Sequence, residues 1–485
     1  MHHPSPRPLA SPEIDLDPEE FRRLGHRAID LLVERLAGIR DAAVRQPVPE
    51  ALRDAFLNAP LPTSPSSPDA LLDRVATDIL PYPMGNASPR FFAWVNSPPA
   101  PLGVLGDLLA SGLDPSVAGG DHAGTYVEHA VLRWLKELLG LPSSAAGVLT
   151  SGGSVATIVG LAAMRHHASG GRARLDGLAG TPPMVVYTST QGHSCIQKAV
   201  ELLGIGSNNL RRVPVDREFR FDVAALRAQI ARDRADGLRP VAVAASAGTV
   251  NTGAIDPLDE LADLCAAEGL WLHVDGAYGG VAALDPASRP LLRGIERADS
   301  VGVDPHKWLY IPVECGCAFV RDAAVMRDAF SVVPPYLRDD TAMPWFSEFT
   351  VQQTRGFRAL KLWLVLQQVG TENYGRLIAR NIALSRRLQA LIRERPDFEL
   401  VSDGPLSITC FRYAPPQAAD VDRLNREIAM LVQREGRVFL TTTELDGRPV
   451  LRACIVNFRT EAQDLDVLLE TVAEAGARLL SEAVA

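Results

Sequence analysis

The residues from about 147 to 322 alternate short β-branched runs with stretches of helical spacing, and this alternation constrains the fold most. Such βα units predict an α/β fold with a mostly parallel sheet and helices on both of its faces. Because ligands bind beyond the carboxyl ends of the strands in these sheets, polar residues just after the runs are candidate site residues. The runs lie at 184–188, 241–245, 270–275, 300–303 and 317–320, and the helical stretches at 156–168, 194–204, 222–236, 257–269 and 287–298.

The chain divides by pattern into three segments. Residues 1–95 form an N-terminal helical segment, in which 18–40 have amphipathic spacing but too few apolar neighbours for a separate core. This segment is expected to pack against another part of the protein or another subunit. Residues 96–365 hold the predicted sheet as a large ligand-binding domain. Residues 366–485 form a small C-terminal α+β domain, with helices at 372–395, 419–435 and 462–481 and strands near 408–412, 438–442 and 450–456.

The composition excludes several classes of protein. A formal net charge of −9, with arginines interleaved among acidic residues, argues against a nucleic-acid partner. The sequence contains no run of about 18 apolar residues, so no membrane span is predicted. The N-terminus lacks the apolar core of a secretory signal. The 6 cysteines are scattered, so neither a disulfide framework nor a metal site is predicted. These features favour a cytoplasmic protein.

Lysine is rare in this chain, which has 4 lysines against 45 arginines, so each lysine is informative. Lys136, Lys198 and Lys361 lie in helix-like stretches, where the long side chain covers apolar surface and keeps its charge in water. Lys307, in Asp304-Pro305-His306-Lys307-Trp308, instead follows a predicted strand, and Asp275 ends the strand one βα unit earlier. A lysine that can form a Schiff base and an aspartate that can hold a pyridinium nitrogen are the minimal requirement for pyridoxal phosphate (PLP) chemistry.

Further candidate residues also follow predicted strands. Gly153 and Ser154 precede a helical stretch, where backbone N–H groups and the helix dipole can hold a phosphate, although a Gly-Gly turn alone is usually an ordinary loop. His193 can stack on a cofactor ring or assist proton transfer, although a lone histidine more often caps a helix or packs. Thr249 can donate to the phenolic oxygen of the ring or orient Asp275.

Together these residues resemble the group II PLP-dependent decarboxylases, the family of aromatic-L-amino-acid, histidine and glutamate decarboxylases, and they are closest to its aromatic branch. The likeness extends from the leading helix through Arg90-Phe91-Phe92-Ala93-Trp94 to Thr354-Arg355-Gly356-Phe357-Arg358-Ala359-Leu360-Lys361-Leu362-Trp363. It implies fold type I of the PLP enzymes, with 96–365 as the PLP-binding domain. It also implies a homodimer with active sites at the subunit interface, across which the segment 1–95 is swapped.

The resemblance also implies roles for individual residues. Lys307 would be the Schiff-base lysine, Asp275 the pyridinium partner and His193 the ring-stacking residue. Tyr336 matches the tyrosine that protonates the substrate Cα after carbon dioxide leaves, and relatives with phenylalanine there tend to release an aldehyde. By the same resemblance Gly153, Ser154 and His306 would be phosphate contacts. Thr249 and Ala277 are further expected cofactor contacts from their places after predicted strands, and Trp94 and Ser97 are expected substrate contacts.

The implied activity is that of a carboxy-lyase, which converts an L-amino acid, by the resemblance an aromatic one, to its amine and carbon dioxide. Two positions depart from the family. Asp304 stands where many members have asparagine, which places an additional carboxylate near the phosphate. Residues 116–118 are small near where the aromatic branch has a larger substrate-contacting side chain. The alternatives are an acidic substrate such as glutamate, an oxidative route to an aldehyde, a carbon–carbon lyase or transferase, and an inactive relative that serves as a binding protein.

Overall fold

The computed structural model describes residues 14–332 and 343–482. Its larger sheet has the spatial order β1-β7-β6-β5-β4-β2-β3. Strands β2 to β6 are mutually parallel, whereas β7 is antiparallel to both of its neighbours, β6 and β1. The predicted mostly parallel sheet is therefore confirmed. The strands are β1 (Ala146–Thr150), β2 (Met184–Ser189), β3 (Leu210–Val213), β4 (Arg239–Ser246), β5 (Trp271–Asp275), β6 (Ser300–Val303) and β7 (Gly316–Val320).

Helices precede and cover this sheet. Helix α6 packs directly on β5, β6 and β7 because it is rich in small residues. A Cβ atom on its Gly160 would lie only 2.8 Å from Nδ1 of His273 on β5, so glycine is what allows this close approach. The helices are α1 (Pro18–Ala37), α2 (Glu50–Leu57), α3 (Pro68–Arg74), α4 (Pro101–Leu113), α5 (Ala123–Leu138), α6 (Gly153–Ala168), α7 (Arg172–Leu175), α8 (Ser194–Leu202), α9 (Val223–Ala235), α10 (Leu258–Glu268), α11 (Ala323–Phe330) and α12 (Arg358–Val369).

The C-terminal part of the chain forms a second, antiparallel sheet with its own hydrophobic core. The strand order is β10-β11-β9-β8, and helices α13, α14 and α15 pack on it. Helix α14 shows why: its apolar side chains at Leu424, Ile428 and Val432 share one face, and all three are buried. The elements are α13 (Thr371–Arg393), β8 (Phe398–Ser402), β9 (Ile408–Tyr413), α14 (Val421–Glu435), β10 (Thr441–Leu445), β11 (Arg448–Cys454) and α15 (Ala462–Glu482).

The structure corrects two elements predicted from the sequence. The helix expected at 287–298 is wrong: the chain forms short 3₁₀ turns at Arg289–Leu292 and Ile295–Arg297, separated by Gly294 with a φ of +104°. A helix cannot continue through that left-handed conformation. The strand expected at 438–442 begins later, at Thr441, because the carbonyl of Phe439 instead accepts a hydrogen bond from the N–H of Phe92.

The prediction that Lys361 keeps its charged group in water is also wrong. Its side chain is 4% exposed, and Nζ lies 3.1 Å from Oδ2 of Asp107 on α4, so its charge is held by an ion pair and not by water. The ammonium group of Lys136 also forms hydrogen bonds within the chain, since Nζ donates to the carbonyls of Ser143 and Ala145 at 2.8 and 2.9 Å. Lys198 is exposed on α8, as the sequence predicts.

The leading segment buries little of its apolar surface. Within α1 only Leu24 is buried, whereas Phe21 and Val33 are exposed. Surface ion pairs from Arg23 and Arg27 to Asp69 attach α1 to α3. The segment therefore presents an apolar face that this chain leaves uncovered. Among residues 14–332 and 343–482, none of the helices combines the length and hydrophobicity needed to span a lipid bilayer.

One ion pair lies wholly inside the large core. The guanidinium of Arg355, just before α12, donates to Glu128 on α5, and both side chains are fully buried. Arg355 also donates to the carbonyls of Val117 and Leu149, and Glu128 accepts from the N–H of Leu149. Because buried charges are tolerated only when paired and hydrogen-bonded, this network fixes β1 relative to α5 and to the chain before α12.

Candidate active site

A cavity of about 380 Å³ opens at the carboxyl edge of the large sheet. The loops after β1, β2, β4, β5 and β6 all contribute to its wall, as expected where parallel strands end together. The structure brings the cofactor-binding residues proposed from the sequence into this one cavity. They are Gly153, Ser154, His193, Thr249, Asp275, Ala277, His306 and Lys307.

Lys307 lies on the wall of the cavity beside two carboxylates. Its Nζ is 3.0 Å from Oδ2 of Asp304, which is almost fully buried. Burial alone lowers the pKa of Lys307, but the carboxylates of Asp304 and Asp275 outweigh that effect and hold its pKa above the ordinary lysine value. The ammonium form of Lys307 is therefore favoured.

Asp275 ends β5 with its carboxylate fixed in orientation. Oδ1 accepts from the N–H of Ala277 at 3.1 Å, and Oδ2 lies 3.8 Å from Sγ of Cys195. Burial raises the pKa of Cys195 to about 12, so the thiol keeps its proton and is the donor in this contact. Among the described residues Asp275 forms no ion pair with a basic side chain, although it is buried. A buried carboxylate that no basic side chain contacts directly suits a ligand that brings a positive charge, such as a pyridinium nitrogen.

His193 both caps a helix and faces the cavity. Its Nδ1 accepts from the N–H of Cys195 at 3.1 Å, which makes His193 the N-cap of α8. Burial lowers the pKa of His193, which favours the neutral ring. Because Nδ1 is the acceptor, the proton of the neutral ring is on Nε2. His193 can therefore cap α8 through Nδ1 and still contact a ligand in the cavity.

The start of α6 forms a cradle suited to a phosphate. This 16-residue helix begins at Gly153 and has no side-chain cap, so its first backbone N–H groups are open to an anion. The backbone is packed closely there: a Cβ on Gly316 would lie 2.4 Å from Cα of Gly152, and one on Gly153 would lie 2.8 Å from Oδ2 of Asp304. The amine, the unpaired carboxylate and this cradle together fit the groups of PLP.

His306 is held against the connection between β6 and β7. Its Nδ1 lies 2.7 Å from the carbonyl oxygen and 3.2 Å from the N–H nitrogen of Cys315. Burial lowers the pKa of His306, and the nearby Asp304 offsets only part of that effect. The neutral form of the His306 ring, which lies near the phosphate cradle, is therefore favoured.

Other proposed residues are placed differently. Thr249 lines the cavity, but its hydroxyl lies 2.9 Å from that of Thr252, and no hydrogen bond to Asp275 is formed. Trp94 is 45% exposed and Ser97 donates to the carbonyl of His306 at 3.2 Å; neither lines the cavity. The roles of Trp94 and Ser97 as substrate contacts stay predictions. Tyr336 lies outside the described residues.

Several cavity residues were missed from the sequence. Val95, Cys195, Val313 and Glu314 all contribute to its wall. The position of Cys195, two residues after His193 in the first turn of α8, was a usable signal, whereas nothing in the sequence marks Val313 and Glu314. The ligand atoms of His193, Cys195 and Asp275 lie within 4.8 Å of one another and are of types that bind metals, but they are the same groups that the cofactor ring would meet.

Known proteins resemble this chain over nearly its whole length. Residues 49–414 match the family described as Pyridoxal-dependent decarboxylase conserved domain. An aromatic-L-amino-acid decarboxylase of Bacillus atrophaeus is 34% identical over 464 residues, covering 94% of this chain and 95% of the relative. A phenylacetaldehyde synthase of Arabidopsis thaliana is 31% identical over 483 residues, covering 96% and 97%. The crystal structure of Oryza sativa TDC with PLP and tryptamine has a TM-score of 0.90 at 29% identity, covering 96% of this chain and 99% of that one.

Replacing Gly153 by alanine is expected to weaken PLP binding. The added Cβ would lie 2.8 Å from Oδ2 of Asp304 and 3.2 Å from Cβ of Ala277, so the start of α6 must shift. We expect the dissociation constant for PLP, measured by absorbance titration of the cofactor-free protein, to rise by about tenfold or more. Gly38→Ala, at the exposed end of α1, is the matched control, because a Cβ there would meet only the carbonyl oxygen of Glu34 at 3.9 Å. Equal affinity in the two variants would contradict the cradle.

Proposed function

The chain belongs to the pyridoxal-dependent decarboxylase family, and we propose that it decarboxylates an aromatic L-amino acid to the corresponding amine, with PLP as its cofactor. One observation carries this proposal: the amino group of Lys307, the carboxylate of Asp275 and an open helix start at Gly153 surround a single cavity. They match the aldehyde, the ring nitrogen and the phosphate of PLP respectively.

The chain's own residues then have distinct tasks. PLP supplies an electron-withdrawing ring that takes up the electron pair left when the carboxyl group departs. Lys307 binds the cofactor through its ε-amino group. Asp275 keeps a proton on the ring nitrogen, since at about 4 Å and an effective dielectric of about 20 opposite charges attract by roughly 4 kcal/mol. His193 contacts the ring, and the proton that replaces the carboxyl group on Cα comes from Tyr336 or through His193.

An aromatic substrate is supported over an acidic one. Among the cavity-lining residues that the structure describes, none is an arginine, which the side-chain carboxylate of glutamate would need. Apolar surface from Val95, Val313 and Tyr278 lies in the wall instead. The small side chains at 116–118 are compatible with a pocket that admits a large aromatic group.

A second outcome of the same chemistry is the oxidative route to an aldehyde. The similarity to a phenylacetaldehyde synthase supports this route as an alternative. The tyrosine at 336 favours the amine instead, because a phenol can donate a proton to Cα and a phenyl ring cannot.

We also propose that the chain forms a homodimer with its active sites at the subunit interface and the leading segment exchanged between subunits. The support is a set of exposed apolar side chains on two helices, which monomers seldom leave in contact with water. On α1 these are Phe21, Ile29, Leu32 and Val33, and on α4 they are Leu105, Leu108, Leu109 and Leu113.

We further propose that the chain has fold type I, three domains and a cytoplasmic location. Fold type I is supported by the seven-stranded sheet, in which β7 alone of the described strands is reversed, together with the second small sheet. The division into 1–95, 96–365 and 366–485 is supported by the strands, since those of the first sheet lie within 146–320 and those of the second within 398–454. The cytoplasmic location rests on the sequence features alone.

Product analysis tests the proposed activity directly. With PLP and a panel of L-tyrosine, L-dopa, L-tryptophan, L-phenylalanine, L-histidine and L-glutamate, we expect an amine and carbon dioxide from an aromatic member. Lys307→Ala should abolish turnover and the visible absorbance of lysine-bound PLP, whereas Lys198→Ala, a change on the exposed face of α8, should leave both intact. Turnover retained by Lys307→Ala would refute the role of Lys307.

The proposed role of Tyr336 predicts a change of product. In Tyr336→Phe we expect amine formation to fall by about 100-fold, the scale of a lost general acid, and aldehyde and hydrogen peroxide to increase. Chromatography of the products with a peroxide assay measures both. An unchanged ratio of amine to aldehyde would show that the proton comes from another residue.

The proposed dimer predicts a mass of twice the 52.3 kDa of the chain in sedimentation equilibrium. Leu109→Asp places a charge on the exposed apolar face of α4 and should weaken association by about tenfold or more. Leu175→Asp, at an exposed position on α7, serves as the control. A wild-type protein that sediments as a monomer at micromolar concentration would overturn the proposal.

A further inference from the structure

We propose that Asp304 is a positioning residue that holds the ε-amino group of Lys307 as an ammonium ion and so sets the pH at which Lys307 becomes a nucleophile. The inference rests on the proposed role of Lys307 in binding PLP. It assigns a task to a carboxylate that the chemistry of the cofactor does not itself require.

The local backbone fixes the two side chains against each other. Asp304 directly follows β6, and the N–H of Lys307 donates to the carbonyl of Asp304 at 2.9 Å, which closes one turn. Residues separated by three positions in such a turn lie side by side, and Nζ is 3.0 Å from Oδ2. The pair is therefore formed by the fold and does not depend on a flexible surface loop.

The carboxylate has little freedom to leave this position. The side chain of Asp304 is 3% exposed, and its Oδ2 lies so close to Gly153 that a Cβ there would be 2.8 Å away. The positive end of the α6 dipole favours a negative charge at that point. Its Oδ1 is buried and has no hydrogen-bond partner among the residues that the structure describes. Oδ1 of Asp304 can therefore accept a proton or a further hydrogen bond from a group in the cavity.

Other titratable groups face Lys307 from three elements. Asp275 on β5 adds a second negative charge, and both carboxylates favour the ammonium form. From α8, His193 has a pKa lowered by burial, and Cys195 has a pKa raised by burial to about 12. His306, on the same turn as Lys307, also has a pKa lowered by burial. The neutral forms of these three groups are favoured near pH 7, so the two carboxylates decide the charge of the amine.

A consequence for loading follows from the chemistry of amines. Only the neutral amine attacks a carbonyl carbon, and an ammonium ion has no lone pair with which to do so. While Asp304 pairs with Lys307, the lysine is ordered but unreactive at neutral pH. Removing the charge of Asp304 without changing its shape should make Lys307 reactive at a lower pH.

The experiment measures the titration of Lys307 in the full-length protein after removal of PLP. Brief acetylation with acetic anhydride from pH 7 to 11, followed by mass spectrometry, reports each of the 4 lysines separately. In the wild type we expect the midpoint for Lys307 to lie above the ordinary lysine value of about 10.4. In Asp304→Asn we expect it to fall by about one pH unit, with a roughly tenfold faster reaction at pH 8.

Two comparisons separate this effect from a general loosening of the fold. Exposed Lys198 should react equally in both proteins. Asp107→Asn removes the carboxylate that pairs with Lys361 and should leave the profile of Lys307 unchanged. An unshifted midpoint for Lys307 in a folded Asp304→Asn protein overturns the proposal.

If Asp304→Asn does not fold, the wild-type profile decides: a midpoint for Lys307 at or below the ordinary lysine value overturns the proposal. No substrate is present in these measurements. Failure of the decarboxylase assignment and failure of this inference are therefore distinguishable.

Discussion

The hydrogen-bond register between β4, β5 and β6 places Ser246 opposite Asp275 and Asp275 opposite Gly302. Backbone bonds continue this register past the strands, because the N–H of Ala247 donates to the carbonyl of Asp275 and that of Gly276 donates to the carbonyl of Gly302. The loops after β4, β5 and β6 therefore start at one level. A slip of one residue would turn Asp275 to the other face of the sheet, so the whole site depends on this pairing.

The buried pair of Arg355 and Glu128 extends the same order to β1. Because both side chains also bind the backbone of Leu149, the end of β1 is fixed from two directions. The turn at Gly152 that follows β1 packs against Gly316, at the start of β7. The position of the phosphate cradle is thus determined both by the buried ion pair and by the close packing of Gly152 on Gly316.

The sequence predicted the parts of the site that depend on strand ends. Asp275, His193 and Lys307 each follow a run of apolar residues, and parallel pairing brings such positions together. It did not predict Val313 and Glu314, since they belong to a connection whose path is set by tertiary packing and not by local pattern. The helix expected at 287–298 failed for a local reason, because Gly294 adopts a left-handed conformation that apolar spacing does not reveal. The ion pair of Lys361 was missed because Asp107 is distant in sequence.

The hydrogen bond from the N–H of Cys195 to Nδ1 of His193 has a consequence for proton traffic. A ring whose Nδ1 is occupied by a backbone amide has one nitrogen left for exchange, so a proton that leaves from Nε2 must return to Nε2. A proton can pass through the ring from a partner at one nitrogen to a partner at the other only when both nitrogens are free. In this fold His193 can store or return a proton on one side only, and turning the ring over would uncap α8.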